Sequence, residues 1–334
     1  MLTRMAVARA AKLEPLKVSN VSVNHAALII GGGAAGMTAA LALADQGFPV
    51  HLVERENRLG GNLWNLKYFV PQNCSNESWT PAMYLAETIR KVEERPLITT
   101  HLNTEFESVG GFKGNFTSKL RQNNQFIEVQ HGVIIVATGG QEYRGSEYGY
   151  GESERIVTQL EFEQMLANQQ ISKTTKQHVI MIQCVGPAEK FCARLCCTTA
   201  LKNALKLKEI NPQAEITMLY RDIRTYGFKE RVYTEARRQG VRFVQFEFDQ
   251  KPLVEILTMD AGQWPLVDGQ SSTVSVKFLD PILGRPIELH PDLLVLSTPI
   301  VPSEGTRELA SKLKISTDMD GFFLHNLSKT FNCM

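Results

Sequence analysis

Two groups of residues in this chain have the types and the spacing to do chemistry. The first is Gly31-Gly32-Gly33-Ala34-Ala35-Gly36, which stands between the short apolar run Ala26–Ile30 and the stretch Ala34–Gln46. A strand, a glycine turn and a helix in that order form a cradle for a pyrophosphate: Gly31 permits the tight turn, Gly33 lets the backbone approach the phosphates, and Gly36 lets the helix pack closely on the sheet. The unpaired N–H groups and the positive dipole end at the helix start then attract the anion. Glu54 lies 18 residues beyond Gly36, after the apolar stretch Val50–Val53. A carboxylate at the end of the second strand accepts hydrogen bonds from an adenosine ribose.

The second group is Cys184, Cys192, Cys196 and Cys197, four of the six cysteines within 14 residues. Their Cys-x7-Cys-x3-Cys-Cys spacing lacks the paired Cys-x2-Cys knuckles of a zinc ribbon. It also lacks the Cys-x-x-Cys dithiol of thioredoxin-type exchange. An iron–sulfur cluster needs four thiolates and tolerates irregular spacing around a loop. Buried structural cysteines and a disulfide redox pair are the alternatives. On a regular helix Cys197 points about 100° away from Cys196, so convergence of all four requires a non-helical loop up to Cys196. Cys74 and Cys333 have no local companions.

Positioning these groups requires a scaffold of alternating strands and helices, which predicts a parallel sheet with helices on its faces. The first βαβ unit runs from Ala26 to Val53, with helices expected at 1–12 and Pro81–Glu94 and strands at Phe126–Gln130 and Val133–Ala137. Between Asn62 and Gln125 the pattern is otherwise weak. The turn-rich stretch Arg144–Glu154 marks a boundary, and a second unit follows: strand Val179–Gln183, helix Thr198–Ile210 and strand Glu215–Tyr220. It continues through helix Lys229–Gln239, strands at Arg242–Phe246, Val274–Leu279 and Leu293–Ser297, and helix Thr306–Leu313. The expected division is 1–24 as a linking helix, 25–153 as the domain of the glycine cradle, 154–299 as a second Rossmann-like domain carrying the cysteines, and 300–334 as a return to the first domain.

The glycines Gly60 and Gly61, just past Glu54, would let the chain run close along a bulky cofactor, which favours FAD. With the apolar strand ending in Ala137-Thr138-Gly139, they resemble the two-dinucleotide-fold flavoproteins, the class that includes thioredoxin reductase. Candidate FAD contacts are Gly31, Gly33, Ala34, Ala35, Gly36, Glu54, Arg55, Gly60, Gly61, Asn62, Ala137, Thr138 and Gly139. In that class the second unit carries another glycine turn for NAD(P)H. Here the turn reads Gln183-Cys184-Val185-Gly186, with cysteine in the place of the first glycine, so tight NAD(P)H binding is not expected.

Length and charge remove other classes. At 334 residues the chain accommodates about two domains. With 36 basic and 35 acidic residues, scattered rather than blocked, it offers no nucleic-acid groove. Ala26–Ala44 is uncharged for 19 positions, but Gly31, Gly32, Gly33 and Gly36 break it, so no membrane span is expected. The cysteine usage of a large chain without a signal peptide suits a reducing cytoplasm. His178, His290 and His325 are far apart and read as surface or strand-end residues; Lys202, Lys206 and Lys208 with Glu209 read as a solvated helix face.

A family resemblance rests on longer motifs. Gln183-Cys184-Val185-Gly186, Cys196-Cys197-Thr198-Thr199-Ala200-Leu201-Lys202-Asn203-Ala204 and Tyr220-Arg221-Asp222-Ile223-Arg224-Thr225-Tyr226-Gly227 resemble the A-type subunit of heterodisulfide reductase and its bacterial relatives. Leu59-Gly60-Gly61-Asn62-Leu63 and Ile300-Val301-Pro302-Ser303-Glu304-Gly305 extend the match. The resemblance implies an FAD-containing electron-transfer subunit in which Cys184, Cys192, Cys196 and Cys197 ligate a [4Fe–4S] cluster. It implies other subunits as partners, an electron donor or acceptor such as ferredoxin or a hydrogenase, and allows a homodimer. The interval between Cys184 and Cys192 is shorter than the family's. The family's additional N-terminal iron–sulfur module and C-terminal part are absent from the pattern, which predicts a fragment. The alternatives are an NAD(P)H-dependent disulfide reductase and a non-catalytic flavin-binding module.

Overall fold

The computed structural model describes residues 1–14, 21–70, 79–189, 192, 195–258 and 272–324. Cys74, His325 and Cys333 lie outside the described residues. Helix α1 (Leu2–Ala10) buries no side chain. Strand β1 (Ala27–Ile30), helix α2 (Ala34–Asp45) and strand β2 (Val50–Val53) form the first βαβ unit. Helix α3 (Pro81–Glu93) starts at Pro81, with the Thr80 hydroxyl accepting from the Met83 N–H. Proline at this position lacks only a donor that the first turn leaves unpaired anyway.

Strand β3 (Ile98–His101) and β7 (Val133–Val136) complete a parallel sheet ordered β3-β2-β1-β7. Between them β4 (Thr104–Phe112), β5 (Asn115–Gln122) and β6 (Gln125–His131) form an antiparallel meander. Side chains alternate across a strand, so the sheet serves two cores. Ile29 and Leu52 pack with Met37 and Ala40 of α2. Leu28, Ile30 and Val53 pack with Phe106, Leu120 and Val129 of the meander.

The second unit repeats the plan. After the short strand β8 (Gly140–Glu142), strand β9 (Ile156–Thr158) leads into α4 (Gln159–Ala167). A capping box holds the start of α4: the Thr158 hydroxyl accepts from the Glu161 N–H, and the Glu161 carboxylate accepts from the Thr158 N–H. Next come β10 (His178–Ile182), α5 (Cys196–Ile210), β11 (Glu215–Tyr220), α6 (Glu230–Arg238) and β12 (Arg242–Gln245). A second meander follows, β13 (Leu253–Thr258), β14 (Ser272–Asp280) and β15 (Arg285–Leu289), and then β16 (Leu293–Leu296). The sheet order is β12-β11-β10-β16-β9 and every pairing in it is parallel. Val179 and Met181 face the helices, whereas Ile180 and Ile182 face Val274, Val276 and Phe278 of the meander.

The chain then returns to the first sheet. Strand β17 (Ile300–Pro302) pairs antiparallel with β8. The Ser303 hydroxyl donates to the Thr138 carbonyl at 2.9 Å. Leu309 and Leu313 of α7 (Thr306–Leu313) pack on the core beside the first meander. Among the described residues no helix is long and apolar enough to cross a membrane.

Candidate functional site

The carboxyl ends of β1, β2 and β7 meet at the glycine turn. Gly31 has φ +112°, and a Cβ there would run into the carbonyl of Ala137. A Cβ on Gly36 would collide with the Gly31 carbonyl, which is why the helix approaches the turn so closely. Gly33, the N-cap of α2, is different: it has φ −76°, and a Cβ there would meet nothing within 4 Å. Its open face adjoins Ala34 and Ala35, which are exposed. The first-turn N–H groups of a helix have no intrahelical acceptor, so this opening offers donors to an anion.

Glu54 is buried and ties the turn to the end of β2. Its Oε2 accepts from the Gly32 N–H at 2.7 Å and its Oε1 from the Glu56 N–H at 2.9 Å. Each carboxylate oxygen keeps a second lone pair. Arg55 donates to the Glu304 carbonyl at 3.3 Å and so links β2 to the returning segment. Gly60 and Gly61, with φ +121° and +49°, run along the turn: the Gly60 N–H donates to the Gly32 carbonyl at 2.9 Å. Asn62 Nδ2 reaches across to the Gly140 carbonyl at 2.6 Å, and Gly139 has φ +67° with open space beside it.

A groove extends from this turn, lined by Gly31, Glu54, Arg55, Thr138, Ser303 and Lys312. Ser303 and Lys312 come from the far end of the chain; Ser303 lies within the Ile300–Gly305 motif, whereas no local motif marks Lys312. Lys312 Nζ pairs with Glu308 at 2.9 Å and with Glu107 at 3.6 Å. These carboxylates hold its ammonium above the ordinary lysine range, the hydrogen bond to Glu308 being the largest cause.

In the second unit the residue in the place of Gly33 is Gly186, and a Cβ there would run into the Tyr143 ring. Cys184 follows β10 as Gly31 follows β1, and it holds φ +61°. A non-glycine residue in the left-handed region is uncommon and carries strain. Helix α5 opens with Cys196 and Cys197, both buried, while Cys184 and Cys192 are half-buried. The helix therefore begins two residues earlier than the apolar pattern suggests, and the chain is non-helical at Cys192 and Leu195.

Neighbouring thiols shift one another. Cys197, whose Sγ donates to the Asp222 carbonyl at 3.7 Å, is lowered by its interaction with Cys196, against burial and with help from the Arg224 N–H. The same interaction, then burial, pushes Cys196 up. Burial first, then Cys197, raises Cys184 to about 11. Among the described residues no group of three or more His, Cys, Asp or Glu side chains stands in metal-holding geometry. The donor set nonetheless suits a thiolate-bound metal group in its chemistry: four soft ligands in one neighbourhood at a helix start.

Lys202, expected on a solvated helix face, is instead 5% exposed, and it forms an ion pair at 2.7 Å with the fully buried Glu163. The expected solvated face of α5 holds only further along, where Lys206 pairs with Glu209 at 2.7 Å. A partner 39 residues away leaves no trace in helical spacing.

The fold and the glycine turn define a class of two-dinucleotide-fold proteins of the thioredoxin reductase type. The thioredoxin reductase of T. acidophilum superposes with a TM-score of 0.53 at 14% identity, covering 91% of this chain and 86% of that one. The enzyme from Lactococcus lactis gives 0.58 at 20% identity, with 91% and 85% coverage. A family model described as NAD(P)-binding Rossmann-like domain matches residues 29–75.

More specifically, the chain is homologous over nearly its whole length to the A-type subunit of heterodisulfide reductase. It is 27% identical to the A-type subunit of the ferredoxin:CoB-CoM heterodisulfide reductase of Methanosarcina acetivorans, over 98% of this chain and 54% of that protein. It is 30% identical to the first of two A-type iron-sulfur subunits of CoB–CoM heterodisulfide reductase in Methanopyrus kandleri, over 96% and 60%. With the A-type subunit of the H2:CoB-CoM heterodisulfide,ferredoxin reductase of Methanothermobacter marburgensis the identity is 28%, over 97% and 60%. The chain thus spans between half and two thirds of the length of these relatives.

Proposed function

We propose that this chain is an FAD- and iron–sulfur-dependent electron-transfer subunit of a heterodisulfide-reductase-like complex, an oxidoreductase component that relays electrons between a flavin and a [4Fe–4S] centre. The observation that carries the reading is the contrast between the two equivalent turns. Gly31 begins an open cradle in the first unit, whereas Cys184 takes the corresponding left-handed position in the second and leads into three more cysteines.

In this reading the pyrophosphate of FAD passes the open face of Gly33 and takes the first-turn N–H groups at Ala34, Ala35 and Gly36. Glu54 offers its free lone pairs to the ribose, and Arg55, Gly60, Gly61, Asn62, Ala137, Thr138 and Gly139 border the cofactor. Bound flavin supplies the conversion between two-electron and one-electron transfer. Cys184, Cys192, Cys196 and Cys197 hold the cluster, and the start of α5 places helix-dipole charge beside the anionic thiolates. The proposed division is a linking helix at 1–24, a flavin domain at 25–153, a cysteine-bearing domain at 154–299 and a returning segment from 300.

The relatives' names, which give them as subunits and include ferredoxin, support a complex with further subunits; the same proposal takes ferredoxin or a hydrogenase as electron donor or acceptor and places the complex in the cytoplasm. A chain that lacks a glycine turn in the second unit would take electrons from such a carrier rather than from NAD(P)H. The test is anaerobic purification and reconstitution followed by flavin, iron and acid-labile sulfide analysis. One FAD and four irons per chain is the expected result; zinc in place of iron, or no flavin, contradicts it.

A further inference from the structure

A buried ion pair joins the two units at a place that neither glycine turn nor cysteine loop explains. Glu163 lies on α4 and Lys202 on α5, both in the second unit, at 0% and 5% exposure. Glu163 Oε1 accepts from the N–H groups of Lys67 and Tyr68 at 2.7 and 3.0 Å. Lys202 Nζ donates to Glu163 Oε2 at 2.7 Å and to the Tyr68 carbonyl at 3.0 Å. Lys67 and Tyr68 belong to the first unit, a few residues after the turn of 3-10 helix at Gly61–Asn65. Three of the four hydrogen bonds made by this pair therefore reach the backbone of the first unit, and the fourth joins the two charges to each other.

Side-chain packing reinforces the grip. Tyr68 and Val70 pack against the helix-side core of the second unit, and Lys206 sits 4.8 Å above the Tyr68 ring. The segment from Gly60 to Val70 is thus a strap between the units. At its other end it is anchored to the glycine turn, because Gly60 donates to the Gly32 carbonyl and Gly61 abuts Gly33. Lys202 is on the same helix as Cys196 and Cys197. The strap therefore gives a short covalent and hydrogen-bonded path from the pyrophosphate cradle to the cysteine helix.

Such a pair is a poor source of net stability, since desolvating both charges offsets their attraction; apolar replacements of similar volume are often no less stable. Its distinctive contribution is directional, holding specific backbone groups in one place. We propose that Glu163 and Lys202 are positioning residues that lock the orientation of the two units by clamping the backbone at Lys67–Tyr68, and so fix the span between the flavin cradle and the cysteine loop. The locking stands on the hydrogen bonds alone; its use in electron transfer rests on the function proposed above.

Two near-isosteric, uncharged double variants of the full chain separate clamping from folding. E163Q/K202M keeps an acceptor for the Lys67 and Tyr68 amides, whereas E163L/K202M removes it. Spin labels on unnatural side chains at Lys91 of α3 and Arg238 of α6, both well exposed, report the distance between the units by pulsed electron paramagnetic resonance. E163L/K202M is expected to broaden the distance distribution by about twofold or more, as a freed hinge would, and E163Q/K202M to broaden it less, since it keeps the acceptor for the Lys67 and Tyr68 amides and loses only the Lys202–Tyr68 bond. Amide exchange at Lys67 and Tyr68 should rise only in E163L/K202M. A narrow distribution in E163L/K202M overturns the clamp, as does equal broadening in both variants. Because this readout needs neither cofactor, a chain that fails to bind flavin or iron sinks the electron-transfer role without touching the clamp. In the loaded protein, E163L/K202M should slow flavin-to-cluster transfer about tenfold at unchanged flavin and iron content, since small misplacements of reacting groups cost at least that; an unchanged rate removes the positioning role.

Discussion

Gly61 lies against Gly33 with little room for a side chain between them: a Cβ on Gly61 would come to 3.2 Å from the Gly33 Cα, closer than an ordinary contact. The loop after Glu54 therefore forms a second wall of the cradle and leaves the opposite face of Gly33 open. This one-sided crowding makes the glycines of the turn distinguishable by experiment.

Gly33→Leu should lose flavin while keeping its fold. The backbone at Gly33 is in an ordinary extended conformation with φ −76°, and its Cβ direction is empty, so the new side chain obstructs only what would bind there. Flavin retained per folded chain is expected to fall at least tenfold, roughly 1.4 kcal/mol or more of binding. Gly36→Ala should behave in the opposite way, because its Cβ collides with the Gly31 carbonyl. A loss of about 1–3 kcal/mol of stability is expected from such overpacking, read from denaturant midpoints. Equal flavin content in Gly33→Leu and the parent would remove the site assignment.

Direct reduction by NADPH is expected to fail. Cys184 occupies the left-handed position of the second turn with φ +61°, and it is followed by cysteines rather than by an open glycine. Anaerobic mixing of the flavin-loaded chain with NADPH should leave the flavin absorbance unbleached over minutes. Rapid bleaching would show that a nicotinamide site exists in the second unit.

Removing one half of the buried pair should cost more than removing both. Lys202→Met leaves the fully buried Glu163 without its counter-charge, a change expected to destabilise by about 3–5 kcal/mol. The double variant E163L/K202M should recover most of that loss. Urea denaturation of the three proteins checks the order, and a single variant as stable as the double one would contradict the account of the pair.

The first βαβ unit and its glycine turn are legible because the signal is local: an apolar run, crowded glycines and a carboxylate after the next strand. Strands β10 and β11, buried in a parallel sheet, read from sequence for the same reason. Strands β3, β4 and β5 are not legible. β4 buries only Thr104 and Phe106 among its nine residues, so most of the strand has no apolar alternation to read. Helix α4 escapes a reading by periodicity although its Thr158–Glu161 capping box is a readable start signal, because the apolar stripe behind it is only nine residues long. Ser303, Lys312 and the Glu163–Lys202 pair owe their positions to contacts across more than 30 residues, which spacing along one element cannot encode.

Cys196→Ser tests most directly whether one chain joins a flavin cradle to a four-cysteine metal site. Iron, acid-labile sulfide and flavin should be measured on anaerobically reconstituted parent and variant, with electron paramagnetic resonance of the reduced proteins. The parent is expected to hold one FAD and one [4Fe–4S] cluster, and the variant to lose the iron and its resonance while keeping FAD, whose proposed contacts lie in the other unit. Four titratable thiols with no iron in the reconstituted parent, or loss of flavin together with iron in the variant, would contradict that arrangement.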